Sequence, residues 1–426
     1  MRNLGVYIEC NGNMIKAGNI KGNNSEDAVF SYSDSYIEEK NAKAISISLP
    51  VNERIFSPER TRCFFESLLP EGYTRRCVAG WLHVDENDYI SVLSELGSEC
   101  LGAIRIVEGD VNEVDSAYKM LSQDELLEFA REGATKSAEL VIKSHLSLAG
   151  ASGKTGLYYD RDNNAWYQPM GLAPSTHIMK QSHVRLKKIV ANEQLCLLTA
   201  RKLGITTPDS FIINLDDKDD DFLFATERYD RKILDSSKKL MGMKVPLRLH
   251  QEDFAQAMGI TSSEKYESSG KDYLVKAFQL IRDYSDNPIE DQIRLWDLCI
   301  FNYLIGNTDN HVKNIAMLYS EDLKGIRLAP AYDLLSTVIY DSSTEKMSLN
   351  IDGEYDIRQI NKNSFENEAK KIGLGKGIAM RHFSNMTEKF EKALEQSAYE
   401  LEAKGYGAAI EIQKEILKKA GIHNLK

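Results

Sequence analysis

Cysteine and proline are scarce in this sequence, and long apolar runs are missing. Six cysteines, at positions 10, 63, 77, 100, 196 and 299, form neither a CxxC pair nor a cluster with histidine at metal-ligand spacing. This pattern argues against a disulfide framework or a structural zinc site and predicts reduced thiols. No window approaches the roughly 18 apolar residues of a membrane span, and residues 1–18 lack the apolar stretch of a signal peptide. We therefore expect a cytoplasmic protein without membrane contact.

A positive net charge is also lacking. The 53 Lys and Arg residues are outnumbered by 64 Asp and Glu residues, so the formal net charge is −11. An acidic surface disfavours nucleic-acid binding over the whole molecule, although a local basic patch remains compatible with it. The composition, 42% hydrophobic and 27% charged, is that of a globular protein, and the length of 426 residues predicts two or three domains.

Strand and helix patterns divide the chain into three segments. Residues 1–107 are predicted to form an α+β module, residues 108–240 a strand-rich lobe and residues 241–426 a mainly helical lobe. We predict strands at 4–8, 14–20, 44–49, 101–107, 139–142, 156–159, 175–179, 210–215 and 222–228, with a turn at 11–13. Helices are predicted at 60–69, 88–96, 191–203, 251–258, 273–284, 288–306 and within 365–420. The predicted fold class is therefore α+β, with two lobes and an amino-terminal module.

A glycine-rich segment, SLAGASGKTGL at 147–157, invites comparison with phosphate-binding loops. In a P-loop, four residues separate the first glycine from the Gly-Lys pair, and this chain has Leu148 at that position. A P-loop is therefore disfavoured. Two interpretations remain open, a plain surface loop and a flexible loop that covers the phosphates of ATP as in kinases. In the second, the residues near ATP are Ala149, Gly150, Ala151, Ser152, Gly153 and Lys154.

A lysine and a glutamate are placed as in phosphoryl-transfer enzymes. Lys180 ends the predicted strand STHIMK, and Glu193 lies on the helix predicted at 191–203. In kinases, a strand lysine held by a helix glutamate binds the α- and β-phosphates of ATP. A lysine at a strand end is more often a solvated rim residue, so this pair alone does not decide the function.

The densest group of polar residues is the segment GNTDNHVKN at 306–314, which follows a predicted helix. Asp309 and Asn314 have the spacing of the base and the magnesium-binding Asn in a kinase catalytic loop. In that role Asp309 accepts the substrate's hydroxyl proton and Asn314 binds Mg²⁺. Lys313 would neutralise charge on the phosphoryl group, and His311 would brace the loop. The alternative is an Asx-rich turn without a catalytic role.

A second acidic position follows in LAPAYDLLS at 328–336. Asp333 is a candidate magnesium ligand in the role of the DFG aspartate, although the glycine of that motif is missing; alone, it would also suit a helix N-cap. A Mg²⁺–ATP phosphotransferase explains the glycine-rich loop, Lys180, the Asp309 loop and Asp333 together. In such an enzyme, Glu227, Arg228 and Tyr229 would offer backbone groups to adenine.

Over essentially its whole length, the chain resembles the HipA family of bacterial serine/threonine kinases, the toxins of HipBA-type toxin–antitoxin modules. The resemblance rests on AISISLP (44–50), FFESLLPEG (64–72), LSELGSECLGAI (93–104), SLAGASGKTGL (147–157), STHIMK (175–180), NEQLCLLTARKLGI (192–205), TERYDR (226–231), LHQEDFAQAMG (249–259), LIGNTDNHVKN (304–314) and LAPAYDLLS (328–336). It implies a two-lobed, protein-kinase-like fold with a mainly helical carboxyl-terminal lobe.

The resemblance also implies roles for single residues. It implies that Asp309 is the base, that Asn314 and Asp333 bind Mg²⁺, and that Lys180 binds the phosphates of ATP. Ser147 opens the loop motif, and its autophosphorylation would switch the enzyme off because the added charge repels ATP. The loop departs from the family pattern at 152–153, where Ser-Gly replaces a glutamine-centred pair and makes the loop more flexible.

The family further implies partners. Its members commonly phosphorylate an aminoacyl-tRNA synthetase, typically glutamyl-tRNA synthetase, and bind a HipB-like helix-turn-helix antitoxin that carries most of the contact with operator DNA. We expect the same partners here. Two other functions remain compatible with the sequence, a catalytically weak corepressor or scaffold that acts with such an antitoxin, and a kinase of small molecules.

Overall fold

The computed structural model describes residues 1–39, 42–108, 116–132, 140, 153–181, 186–215 and 222–425. The chain separates into two units. The first unit comprises residues 1–182, 213–262 and 318–326, and the second comprises residues 183–212, 263–317 and 327–426. The division into segments 1–107, 108–240 and 241–426 stays a prediction.

Most strands lie before residue 260, and most long helices lie after it. In chain order the strands are β1 (Arg2–Cys10), β2 (Asn13–Gly22), β3 (Val29–Tyr32), β4 (Ile104–Glu108), β5 (Ala117–Met120), β6 (Lys154–Asp160), β7 (Ala165–Met170), β8 (His177–Gln181), β9 (Ser210–Asn214), β10 (Phe222–Glu227), β11 (Arg231–Lys232), β12 (Lys239–Leu240), β13 (Met243–Lys244), β14 (Leu247–Arg248), β15 (Gln251–Asp253), β16 (Ala316–Tyr319), β17 (Ile326–Leu328), β18 (Lys346–Ile351) and β19 (Glu354–Asp356). The α-helices are α1 (Asp34–Ile37), α2 (Pro58–Phe65), α3 (Gly72–Leu82), α4 (Tyr89–Leu96), α5 (Gln123–Glu132), α6 (Ile189–Lys202), α7 (Phe254–Met258), α8 (Tyr273–Tyr284), α9 (Pro288–Ile305), α10 (Lys362–Lys371), α11 (Lys376–Ala403) and α12 (Ala408–Lys419). Among the helices that the structure describes, none combines the length and the apolarity that crossing a bilayer requires.

The amino-terminal sheet of the first unit has the strand order β3-β2-β1-β4. Strands β1 and β2 form an antiparallel hairpin. Its turn residues Asn11 and Gly12 both have positive φ, 50° and 75°, as a tight hairpin turn between twisted strands requires. Alternate side chains of β1, those of Leu4, Val6 and Ile8, are fully buried. The hairpin predicted from the sequence is confirmed.

The strand predicted at 44–49 is wrong. These residues form a turn closed by an isolated bridge between Ser46 and Leu49. The cause is the buried carboxylate of Glu252, which accepts hydrogen bonds from the hydroxyl of Ser46 and, at 3.0 Å, from the N–H of Ile47. Local hydrogen bonds to side chains offer the backbone an alternative to a strand ladder.

The larger sheet has the order β5-β7-β6-β8-β10-β9. Its strand β8 carries Lys180, which lies opposite Lys154 of β6 and Phe224 of β10. The strands predicted at 156–159, 175–179, 210–215 and 222–228 are confirmed, with boundaries that differ by two residues at most. The strand predicted at 139–142 lies outside the described residues except for Leu140, which is helical.

The helices of the second unit follow the apolar periodicity of the sequence. Helix α6 ends before Gly204, whose φ is 86°, and the helices predicted at 273–284 and 288–306 are α8 and α9. Helix α9 packs against α8 and α11.

In the first unit, the helix predicted at 251–258 is only partly correct. The segment begins as strand β15 and becomes helical only after Asp253, because Asp253 and Gln256 form a capping box there.

Candidate active site

The candidate catalytic loop leaves helix α9 at Gly306. This residue has a φ of 67°, and a Cβ at this position would lie 2.2 Å from Val338 Cγ2. Only glycine therefore fits without displacing a neighbour. The carbonyl of Gly306 accepts hydrogen bonds from the N–H groups of Thr337 (3.0 Å) and Val338 (3.1 Å). The end of α9 is thus held against the segment that follows Asp333.

The next residues are fixed by neutral side chains. The N–H of Thr308 donates to Thr337 Oγ1 (2.7 Å), and its carbonyl accepts the hydroxyl of Ser348 at 2.6 Å. Thr308 is buried, whereas the following residue, Asp309, is exposed. The N–H of Asp309 donates to Asn307 Oδ1 at 3.3 Å. The Asx turn that the sequence allowed is therefore present, and it presents the Asp309 carboxylate at the surface of the second unit.

Asp309 and Asn314 are joined by a direct hydrogen bond. Asn314 Nδ2 donates to the carbonyl of Asp309 at 3.0 Å, and the N–H of His311 donates to the same carbonyl at 2.9 Å. A short 3₁₀ helix, Val312–Asn314, closes the turn, with His311 and Lys313 both buried. Four of the predicted site residues thus lie on a single tight turn.

The structure brings Asp333 to this turn from a distant part of the sequence. The hydroxyl of Tyr332 donates to the carbonyl of Lys313 at 2.8 Å, and Asn307 Nδ2 donates to the carbonyl of Asp333 at 3.3 Å. Asp333 does not cap a helix, because residues 331–337 are irregular. Its φ is 52°, a left-handed conformation that non-glycine residues adopt mainly at constrained, often functional positions.

Helix α6 supports the same segment. Asn192 Nδ2 donates to the carbonyl of Ser336 at 2.8 Å, and Asn192 Oδ1 accepts the N–H of Ser336 at 3.0 Å. The adjacent Glu193 is also buried. Sequence reasoning missed the positioning role of Asn192, Asn307, Thr308 and Tyr332. The density of Asn and Thr at 307–310 is a signal for two of them, but nothing near Asn192 in the sequence points to residue 336.

The oxygen donors of this turn suit Mg²⁺. The amide nitrogen of Asn314 is bound to the Asp309 carbonyl, so the amide oxygen is the atom that remains for a metal. Asp333 adds a half-buried carboxylate. Mg²⁺ in phosphotransferases takes one or two such protein ligands and completes its shell with phosphate oxygens and water. Within the described residues, no group of three or more His, Cys, Asp or Glu side chains could hold a metal without such help.

The remaining predicted residues lie in the first unit or outside the described residues. Lys180 is half-buried on β8, with its Nζ 5.8 Å from the centre of the Phe224 ring, and Glu227 ends β10. Gly153 and Lys154 are described at the start of β6. Ser147 and the loop residues Ala149, Gly150, Ala151 and Ser152 lie outside the described residues.

Arg228 lies in the interior of the first unit. Its N–H donates to the carbonyl of Thr176 at 2.9 Å, and its carbonyl accepts the N–H of Arg231 at 3.1 Å. Its buried guanidinium donates to Asp230 (2.9 and 2.7 Å) and to Glu99 (3.3 Å). The structure therefore places Arg228 in the packing of this unit, with its side chain and both of its backbone groups already hydrogen-bonded.

Comparisons with known proteins agree with this architecture. Residues 9–107 match the HipA N-terminal domain, and residues 146–396 match the HipA-like C-terminal domain. The protein Y4mE of Sinorhizobium fredii is 30% identical over 375 residues, which cover 86% of each chain. The serine/threonine-protein kinase toxin HipA of Shewanella oneidensis is 24% identical over 342 residues, 78% of this chain and 76% of that protein.

The fold itself matches a solved structure. The HipA chain in a complex of Shewanella oneidensis HipA, HipB and operator DNA superposes with a TM-score of 0.79 at 21% identity, covering 97% of this chain and 96% of that chain. This likeness confirms the predicted kinase-like α+β fold. Because one family model covers more than half of the chain and a second covers most of its amino-terminal part, the chain belongs to the HipA family of serine/threonine protein kinases.

Proposed function

We propose that this protein is a Mg²⁺–ATP-dependent serine/threonine kinase that acts as the toxin of a toxin–antitoxin system. The observation that carries the proposal is the pair of joined segments in the second unit. Asn314 binds the carbonyl of Asp309, and Tyr332, next to Asp333, binds the carbonyl of Lys313. In this proposal, Asp309 supplies an exposed carboxylate as the base, and Asn314 and Asp333 on the joined segments serve as the oxygen ligands of the metal. Positioning and charge are the main contributions that a protein makes to phosphoryl transfer.

In the proposed reaction, Asp309 accepts the proton of the acceptor hydroxyl while the acceptor oxygen forms its bond to the γ-phosphorus. The bond from the γ-phosphorus to the bridging oxygen breaks, and ADP leaves with the electron pair. Lys313 contributes positive charge near the transferred group. When bound, Mg²⁺ would neutralise phosphate charge, with Asn314 and Asp333 as its protein ligands.

The ATP-binding residues of this proposal follow the roles that the family resemblance implies. Lys180 and Glu193 serve the α- and β-phosphates, and the loop Ala149–Lys154 covers them. Glu227 and Tyr229 offer backbone groups to adenine. Ser147 is the proposed site of self-inhibition, because a phosphoserine dianion there repels the phosphates of ATP and favours another loop position.

The proposed substrate is an aminoacyl-tRNA synthetase such as glutamyl-tRNA synthetase. The proposed partner is a HipB-like helix-turn-helix antitoxin, through which the kinase meets operator DNA. The solved complex of Shewanella oneidensis HipA with HipB and operator DNA supports this partner. The net charge of −11 also agrees with leaving most of the DNA contact to the antitoxin.

Phosphate transfer tests the proposal. The purified full chain is incubated with γ-labelled ATP and Mg²⁺, with and without glutamyl-tRNA synthetase. We expect label on a serine of the synthetase, and on Ser147 when the synthetase is omitted. Asp309→Asn should lose transfer by roughly a hundredfold or more, the usual contribution of a general base. The matched control Asp283→Asn, on the exposed face of α8, should transfer at the wild-type rate.

The outcomes separate the alternatives. Absence of label in every reaction would favour a scaffold that acts with the antitoxin. Transfer to aminoglycosides or sugars but to no protein would favour a kinase of small molecules. Equal transfer by Asp309→Asn and the wild type would refute the assigned base.

A further inference from the structure

The carboxylate of Asp309 already accepts a hydrogen bond from a hydroxyl group. Tyr266 Oη donates to Asp309 Oδ1 at 2.8 Å. If Asp309 is the base, this bond has the same donor and acceptor types as the bond that a substrate serine must make at the moment of transfer. The tyrosine hydroxyl therefore occupies the place that the acceptor hydroxyl needs.

Tyr266 is presented by a firmly held segment. The neighbouring Glu267 is buried, its N–H donates to the carbonyl of Ser348 (3.1 Å), and its carboxylate accepts the N–H (2.7 Å) and the Nδ2 group (2.6 Å) of Asn350. The same carboxylate also accepts the N–H of Tyr273. The backbone beside Tyr266 is thus fixed to strand β18 and to the start of helix α8.

The side chain of Tyr266 is less confined than its backbone. Half of its surface is exposed (50%). Its ring meets the edge of the His311 ring, with centroids 5.2 Å apart. Rotation of one exposed aromatic side chain can therefore break the hydrogen bond from Tyr266 to Asp309 without disturbing the anchor at Glu267, and such rotations are fast.

A cavity of about 580 Å³ opens beside this contact, and both Tyr266 and Asp309 line it. Its volume lies within the range of ligand sites in proteins. Apolar and polar side chains of the second unit share the rest of its wall, among them Leu186, Met347, Ser269, Ser343 and Lys346. A wall that is mostly apolar with a few polar side chains is typical of ligand sites in proteins, and it suits a peptide segment that carries both apolar and polar groups.

We propose that this cavity binds the serine-containing segment of the protein substrate and that Tyr266 guards its reactive end. Without substrate, the Tyr266 hydroxyl donates its hydrogen bond to Asp309, so that a water molecule cannot transfer its proton to this base. The substrate serine displaces the tyrosine hydroxyl and takes over its bond to Asp309. This inference rests on the proposed role of Asp309 as the base, and it adds a residue that selects a peptide acceptor over water.

Tyr266→Phe tests the guard, because it removes the hydroxyl and keeps the ring against His311. The first measurement is release of inorganic phosphate from ATP in the absence of any acceptor. In that reaction a water proton passes to Asp309, the water oxygen bonds to the γ-phosphorus, and ADP leaves. We expect hydrolysis to rise about tenfold, the factor that corresponds to one hydrogen bond to a charged acceptor. With glutamyl-tRNA synthetase as acceptor, KM should fall while kcat changes little.

Controls separate this inference from the proposed function. Tyr399→Phe removes a similarly exposed hydroxyl (56% against 50%) from helix α11 and should leave both rates unchanged. In the double variant Tyr266→Phe/Asp309→Asn, the increase in hydrolysis should disappear. If Asp309→Asn alone is fully active, the base assignment fails. If Asp309→Asn is inactive but Tyr266→Phe is unchanged or slower, only the guard is overturned. Label found on Tyr266 would also overturn it, because the tyrosine would then be an acceptor.

Discussion

Two polar networks in this protein hold segments together in different ways. In the first unit, a buried ion cluster consists of Glu9, Glu99 and Asp230 with Arg228, Arg231 and Arg248, each less than a tenth exposed. In the second unit, the loop anchors Asn192, Asn307, Thr308 and Thr337 hold the candidate catalytic loop with neutral groups. Both networks join parts of the chain that are far apart in sequence.

The ion cluster is centred on Glu99. Its carboxylate accepts hydrogen bonds from Arg231 (2.7 Å) and, twice, from Arg248 (2.9 and 2.6 Å). Burial opposes ionisation of Glu99, but the charges of Arg231, Arg248 and Arg228 outweigh it and hold the pKa of that carboxyl well below its ordinary range. The amino-terminal module is thus tied to the segment after β10 by buried charges.

The two networks differ in which groups remain unpaired when a mutation removes one of their side chains. A missing acid in the ion cluster leaves buried guanidinium groups without compensation, which is costly for folding. A missing anchor in the catalytic loop removes only neutral hydrogen bonds, which costs less stability but allows the base to move. We therefore expect the ion cluster to govern stability and the loop anchors to govern rate.

The largest expected effect is the loss of Glu99. Glu99→Ala should lower the free energy of unfolding by about 3–5 kcal/mol, the usual cost of breaking a buried ion pair from one side. Urea unfolding of the full chain, followed by circular dichroism, measures this change. The control Asp235→Asn removes an exposed pair with Lys244 and should cost less than about 1 kcal/mol. If the two variants lost the same free energy of unfolding, the buried ion cluster would contribute no more to stability than an exposed ion pair.

The ion cluster also shows where sequence reasoning stops. The sequence predicts that Glu227, Arg228 and Tyr229 offer backbone groups to adenine, yet the side chains of Arg228 and the nearby Arg231 pair with Glu99. Residues more than 120 positions apart leave no local pattern that predicts their contact. The same limit explains the wrong strand at 44–49, because the bonds that bend it come from Glu252.

Local signals were more informative at the candidate site. The spacing of Asp309 and Asn314 indicated either a kinase-type catalytic loop or an Asx-rich turn, and the structure joins the two residues by a hydrogen bond within one turn. Gly306, the last residue of the helix predicted at 288–306, does cap the end of α9. Asp333 was selected by its motif, but its attachment through Tyr332 and Asn307 depends on tertiary structure. The sequence therefore indicated Asp309, Asn314 and Asp333 as candidate residues, and the structure shows which side chains hold the backbone around them.

A buried acid that is held by hydroxyl and backbone donors, Glu252, sharpens the comparison within the first unit. Burial raises the pKa of Glu252 to about 7, although Ser46 and Tyr319 donate hydrogen bonds to its carboxylate and oppose the shift. Since the folded pKa lies above the ordinary value of 4.5, the folded state binds the proton more tightly. The stabilisation is complete below pH 4.5 and is lost as the pH rises to about 7.

Glu252→Gln should therefore flatten this part of the stability profile. The wild type should lose up to about 3 kcal/mol of unfolding free energy across this window, and the variant should lose much less. Urea titrations at several pH values between the two limits measure the slope. Glu99 provides the contrast, because its lowered pKa makes the ion cluster insensitive to pH in the same window. Identical slopes for Glu252→Gln and the wild type would show that Glu252 does not titrate there.

The smallest expected effect on stability comes from a loop anchor, and it should have the larger effect on rate. Asn307 Nδ2 donates to Asn302 Oδ1 (2.8 Å) and to the carbonyl of Asp333 (3.3 Å), and Asn307 Oδ1 accepts the N–H of Asp309. Asn307→Ala should cost about 1–2 kcal/mol in stability. It should lower kcat for phosphate transfer by roughly 10- to 100-fold, because Asp309 and Asp333 lose their common support.

A control of similar thermodynamic cost isolates this effect. Asn361 caps helix α10 in the same unit through its side chain, and Asn361→Ala should also cost about 1 kcal/mol. Its kcat should equal that of the wild type, because the cap supports no residue of the catalytic turn. If both variants slowed transfer equally, general loss of stability would explain the rate, and the loop anchors would have no positioning role of their own. If Asn307→Ala transfers phosphate slowly while Asn361→Ala transfers it at the wild-type rate, the neutral hydrogen bonds of the loop anchors hold Asp309 in position. The buried charges of the first unit would then differ from them in contributing to stability only.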